Sequence, residues 1–157
     1  MTLPIPPDGF HRRLFQVSGS SLTSQTGQTG QTGQTAGMLR IEAISGKSVG
    51  SRRLWMGQTH VSPDTRSGNH HHGDSETGIY VVSGRPEFVF LDGDEEIRLA
   101  ARAGDYIYVP PWVPHREENP DPDEEAVVVL SRTTQEAIVV NVPDLRWVEP
   151  MRDGPVV

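Results

Sequence analysis

From Met38 onward the chain is a succession of short apolar and β-branched segments divided by turn residues, and no segment keeps a helical period for three turns. Strand-like composition falls at 38–44, 54–61, 78–83, 86–91, 96–99, 106–109, 126–132 and 137–141. Asp92-Gly93-Asp94 is a hairpin signal, and Pro120-Asp121-Pro122-Asp123 is a loop. Many short strands at such spacing bury their apolar faces by stacking two sheets or by closing one on itself, so 38–157 is expected to be one all-β sandwich or barrel. The preceding stretch is different. Positions 18–37 are almost wholly Ser, Gln, Thr and Gly, with QTG three times in succession from Gln25 to Gly33. Such a tract has too little apolar surface to offset the entropy of ordering it, so 1–37 is expected to be an arm with a disordered linker. Phe10, Leu14 and Phe15 could pack on the domain as a short strand or helix, or could form a loose arm with Arg12 and Arg13. Met38, at the head of the first convincing strand, is a candidate second start.

Two segments carry chemistry. His70-His71-His72-Gly73-Asp74-Ser75-Glu76 sets two histidines two residues apart, with a carboxylate four further on, and GDYIYVPPWVPHREEN (104–119) brings a further histidine, His115. Side chains alternate between faces on a strand, so His70 and His72 project to one side and His71 to the other. Two imidazoles can then converge on one ion, with His115 arriving from another strand. Imidazole nitrogen suits iron, nickel, copper and zinc, and a carboxylate such as Glu76 widens the range toward manganese. The bland alternative is a polar turn. A purification tag is excluded by the position of the run between strands in mid-chain.

These segments resemble the cupin superfamily, of the small single-domain, RmlC-like type. Its first motif runs G-x5-H-x-H-x3,4-E-x6-G and its second G-x5-P-x-G-x2-H-x3-N. Gly104, Pro110, His115 and Asn119 match the second at the family spacing, with Trp112 in place of the second glycine. His70, His72, Glu76 and Gly84 match the first, with Asp64 in place of the opening glycine. Seven residues separate Glu76 from Gly84 where the family has six, and counting back by six lands on Thr77. A β-bulge would let Glu76 point inward. Without one, three histidines and water would make up the set. The resemblance implies a double-stranded β-helix, or jelly-roll barrel, holding one divalent metal per chain (Fe, Mn, Ni or Zn) on His70, His72, Glu76 and His115. It also implies a homodimer, with 142–148 apolar enough to cover a barrel face or a partner.

Composition narrows the remaining choices. With 157 residues, 34% of them hydrophobic, the chain suffices for one core. It has no cysteine, so neither disulfides nor thiolate ligation are available. A net charge of −7, densest at Asp121, Asp123, Glu124 and Glu125, opposes nucleic acid as a partner. No apolar run is long enough to cross a bilayer, and a cytoplasmic location is expected.

The resemblance implies a metal-dependent dioxygenase, isomerase or lyase acting on a small oxygenated organic acid, with a non-catalytic metal- or ligand-binding barrel as the alternative. Proton transfer would fall to Tyr80, Tyr106, Tyr108 or His60. Parity on 106–109 leaves open whether the two tyrosines or Ile107 and Val109 meet the core. Gln58 and His60 are candidates for the pocket wall, although a hydrogen-bonded barrel histidine is the better reading of His60. Arg53 or Arg132 would pair with a carboxylate if it faced inward. Trp55, Phe88, Phe90 and Trp112 read as core or interface rather than as substrate contacts.

Overall fold

A computed structural model describes residues 14–22 and 35–146. The elements are β1 (Met38–Ile44), a single helical turn α1 (Gly46–Val49), β2 (Trp55–Val61), β3 (Thr65–Arg66), β4 (His70–His71), β5 (Thr77–Ser83), β6 (Glu87–Asp92), β7 (Glu95–Ala100), β8 (Tyr106–Val109), β9 (His115–Asn119), β10 (Ala126–Arg132) and β11 (Val140–Asn141). They form two antiparallel sheets, ordered β1-β2-β10-β5-β8 and β11-β4-β9-β6-β7, with β3 added beside β9. This is the expected jelly roll. Most of the Gln/Thr/Gly tract and the last residues of 142–148 lie outside the described residues.

Alternation builds the core. Trp55, Gly57, Thr59 and Val61 of β2 are buried in turn, as are Ala126, Val128, Leu130 and Arg132 of β10 and Thr77, Ile79 and Val81 of β5. Trp55, Ile79, Val81, Phe88, Val109, Val128 and Leu130 pack together between the sheets, with Ile107 against them. Register decides the parity left open on β8. Ile107 and Val109 stand opposite Ile79 and Thr77, whereas Tyr106 and Tyr108 face out and are 79% and 60% exposed.

The charged strand β9 shows how a segment without an apolar residue enters a sheet. One face carries His115, Glu117 and Asn119, and the Asn119 amide donates to the carbonyls of Val61, Ser62 and Glu124, fastening β9 across to β2 and to the loop before β10. The other face carries Arg116 and Glu118. Arg116 pairs with Glu96 and Glu118, and Arg98 pairs with Glu87, Glu96 and Glu118. This network lies over Val89, which is wholly buried and stands opposite both arginines in register.

Two backbone features bear on the motifs. Among the described residues, Asp64 (φ 49°) and Trp112 (φ 66°) are the non-glycine residues in the left-handed region, and they occupy the two positions where this chain replaces a glycine of the cupin pattern. Glycine enters that region freely, while an L-residue does so at a cost of roughly 1–2 kcal/mol. Trp112 is held there by its amide, which donates to the Gly73 carbonyl at 2.7 Å, and by its ring, which lies 5.7 Å from that of His71. The second feature is a bulge. Val127 pairs with Ser83 and Val128 with Val81, so Val82 has no partner on β10. The extra residue before Gly84 is absorbed there, well past Glu76.

Stability should follow these details. Asp64→Gly removes the left-handed cost but frees the unfolded chain by about 0.4–1 kcal/mol, leaving a net gain of between about 0 and 1.6 kcal/mol. Gly84 has φ 79°, and a Cβ there would lie 2.6 Å from the Ala126 Cα and 2.8 Å from the Glu125 carbonyl oxygen. Gly84→Ala is therefore expected to cost about 2–4 kcal/mol. Urea unfolding followed by circular dichroism measures both.

Candidate metal centre

His70 ends its pairing on β9 directly opposite His115, His72 follows β4, and Glu117 lies two residues beyond His115 on the same face. The three imidazole centroids form a near-equilateral triangle: 4.9 Å from His70 to His72, 4.6 Å from His70 to His115 and 4.9 Å from His72 to His115. A ligand atom from each histidine and from Glu117 lies within 4.8 Å of all the others, so the group could hold a metal ion.

Hydrogen bonding fixes which nitrogen is offered. His70 Nδ1 lies 2.8 Å from the Gly68 carbonyl, His72 Nδ1 2.8 Å from that of Ile138, and His115 Nδ1 2.9 Å from that of Val113. A carbonyl only accepts, so each Nδ1 carries the hydrogen and each Nε2 keeps its lone pair. The Nε2 atoms of His70 and His115 are buried with no hydrogen-bond partner, which is unfavourable unless something electrophilic sits between them. Burial, followed by the neighbouring histidines His115 and His70, lowers the His72 pKa to about 3. Burial and then His70 likewise lower that of His115. Burial would raise the Glu117 pKa, but Arg40 and the three histidines outweigh it, and the carboxyl is held below its usual range. The centre thus offers three imidazole nitrogens and a carboxylate, a nitrogen and oxygen set suited to divalent first-row metals.

Beside His115 the two sheets part to leave a cavity of about 420 Å3 between the β6–β7 hairpin and β8. On the opposite side, next to His70 and Arg40, the space is only about 20 Å3.

Residues 57–131 match the family model of the Cupin domain. They are a cupin domain. The polyketide cyclase RemF from Streptomyces resistomycificus has a similar structure, with a TM-score of 0.67 and 19% identity over 83% of this chain and 86% of that one. Oxalate decarboxylase from Bacillus subtilis gives a TM-score of 0.60 and 24% identity over 69% of this chain and 28% of that one, so the present chain spans under a third of it. At these identities the likeness is one of fold. No curated protein matches the chain.

Within the cupin domain the expected ligand Glu76 stands apart from the histidines. Its carboxylate accepts a 2.7 Å hydrogen bond from the Tyr108 hydroxyl at the surface, and that bond raises the Tyr108 pKa. Strand parity is the reason. Thr77 is the inward residue, 5% exposed, and the bulge that could have turned Glu76 inward lies instead at Val82. Glu117 supplies the carboxylate from β9, and its two-residue spacing from His115, matching that of His70 and His72, was the signal for it in the sequence. The four candidates for proton transfer also lie on the outer face of the first sheet. Tyr80 and Tyr106 stack at 4.9 Å, Tyr108 holds Glu76, and His60 pairs with Glu125 at 2.9 Å. Gln58 shares the parity of His60. Arg53 is exposed. Arg132 does face inward, but its guanidinium lies 4.1 Å from the Trp55 ring centroid and donates to the carbonyls of Thr134 and Gln135, and burial and then Arg40 lower its pKa to about 10.

The buried imidazoles make stability depend on pH. The His72 pKa is about 3 when folded and near 6.5 in the unfolded chain, so between those values the unfolded chain binds more protons. Stability is complete above 6.5 and is lost as pH falls toward 3, and His115 acts in the same direction. Thermal unfolding of metal-free protein should show a midpoint that drops steadily below pH 6.5 and a shallower slope for His72→Gln.

Proposed function

We propose that the chain is a mononuclear metal-dependent enzyme of the cupin type, acting on a small oxygen-bearing organic substrate. The observation that carries this reading is the convergence of three histidines, with buried unpaired Nε2 atoms on His70 and His115, beside a cavity that His115 itself lines and that is large enough for a small molecule. His70, His72, His115 and Glu117 would hold one divalent ion. Iron, manganese, nickel and zinc all suit the donor set, and Bacillus subtilis oxalate decarboxylase, a neighbour of the same fold at 22% identity, has Mn(II) centres. A bound divalent metal supplies Lewis acidity toward a substrate carbonyl or enol oxygen.

The protein residues have separable tasks. The Gly68, Ile138 and Val113 carbonyls orient the imidazoles and hold them in one tautomer. Arg40 keeps Glu117 charged against its burial. The apolar walls beside His115 exclude water from the reacting end of the substrate. Among the described residues, Glu117 is the carboxylate that joins the donor set. Fold does not choose among isomerase, lyase and oxygenase chemistry.

Metal content by plasma mass spectrometry, on untagged protein purified without a metal column, tests the reading. Wild type should carry close to one ion per chain and a His72→Ala, His115→Ala double variant none. Glu117→Gln should weaken metal affinity at least about tenfold, while Glu76→Gln leaves it unchanged. Wild type that neither contains nor takes up iron, manganese, nickel or zinc would overturn the proposal.

A further inference from the structure

The metal-ligating group is flanked by two unequal spaces, and their difference constrains the substrate. The space next to His70 and Arg40 is about 20 Å3, enough for about one water. The cavity next to His115 is about 420 Å3, within the range of roughly 300–1,000 Å3 for small-ligand sites. Among the described residues, the His115 side is therefore the one with room for the body of a substrate.

The chemistry of that cavity is specific. Its walls are Phe88, Phe90, Leu99, Ile107, Val109 and Val113. Leu99 stands opposite Phe88 and shares its face, yet is 41% exposed, so apolar surface that points between the sheets remains open to solvent. Such surface favours an apolar occupant. Among the described residues no lysine or arginine lines the cavity, and the acidic side chain that does, Asp92, is exposed. The arginine near the ion, Arg40, borders the small space on the other side. Beyond the ion itself, a small dianion would thus meet no cationic side chain along the large cavity and would leave its apolar walls uncovered. A dry cavity of roughly 150 Å3 accepts benzene, so this volume has room for more than one ring.

Resting on the metal-dependent reading above, we propose that the substrate is an uncharged, fused-ring molecule bearing a carbonyl or hydroxyl oxygen at one end. The oxygen end points to His70, His72, His115 and Glu117, and the rings lie between the β6–β7 hairpin and β8. Leu99 and Ile107 are then specificity-determining residues. The rings displace water from the apolar walls.

Two probes separate ring from oxygen chelate: acetylacetone and 2-acetyl-1-naphthol offer the same pair of oxygens, and only the second has rings. In calorimetric titration of zinc-loaded wild type, the naphthol should bind at least tenfold more tightly than acetylacetone. Leu99→Trp, at an exposed position that tolerates bulk, should erase that preference without changing metal content or acetylacetone affinity, and Ile107→Phe should reduce it. The metal-free His72→Ala, His115→Ala variant should still bind the naphthol, more weakly, and lose it when Leu99→Trp is added. Equal affinity of the two probes for wild type, or a preference that survives both cavity variants, would overturn the substrate class while leaving the metal centre standing. Absence of metal from wild type with naphthol binding intact would instead overturn the enzyme reading and retain the cavity.

Discussion

Everything about the centre depends on three backbone carbonyls. An imidazole buried without a partner at either nitrogen would be unfavourable, and one free to flip would offer either edge. The carbonyls of Gly68, Ile138 and Val113 remove that freedom by taking each Nδ1 hydrogen, so three lone pairs face one another across less than 5 Å of ring-centre separation. These carbonyls come from the approach to β4, from the segment ahead of β11 and from the turn before β9. The histidines are thus held by loops that the two-sheet architecture brings together, and each ring position reports on a different part of the fold.

Much of this architecture was legible in the sequence because alternation of apolar residues is a strong signal when both faces differ. The strands Met38–Ile44, Tyr106–Val109 and Ala126–Arg132 have the bounds their composition implies. β9 was expected only as the strand that carries His115, without bounds, because its five residues, His-Arg-Glu-Glu-Asn, hold nothing apolar: its inward face carries His115 and Glu117 and its outward face forms ion pairs. The histidines were legible because their spacing to each other and to Pro110 and Asn119 is fixed. The carboxylate was not. Glu76 sits at an allowed count from His72, and only the position of a bulge, which composition does not reveal, turns it outward and leaves Thr77 in the interior.

The left-handed positions carry a related lesson. Glycine in a family pattern marks a backbone angle more than a missing side chain, and Asp64 and Trp112 keep the angle while replacing the residue. At Trp112 the added ring covers His71, the histidine that alternation turns away from the centre. The pattern is thus met in conformation where it is departed from in letter.

β9 joins a ligand face to an ion-pair face, and that has a consequence for how such a strand can change over time. Substitution at any one position alters one contact. Loss or gain of a single residue ahead of His115 would exchange the faces, sending Arg116 and Glu118 into the barrel and His115 and Glu117 into solvent. Arg98 would lose Glu118 and Glu96 would lose Arg116 in the same event that dismantled the donor set. The segment 115–119 is therefore free to drift in identity on its outer face but locked in length, and a descendant that kept the barrel while abandoning the metal would do so by point replacement, never by a shift of frame along the strand.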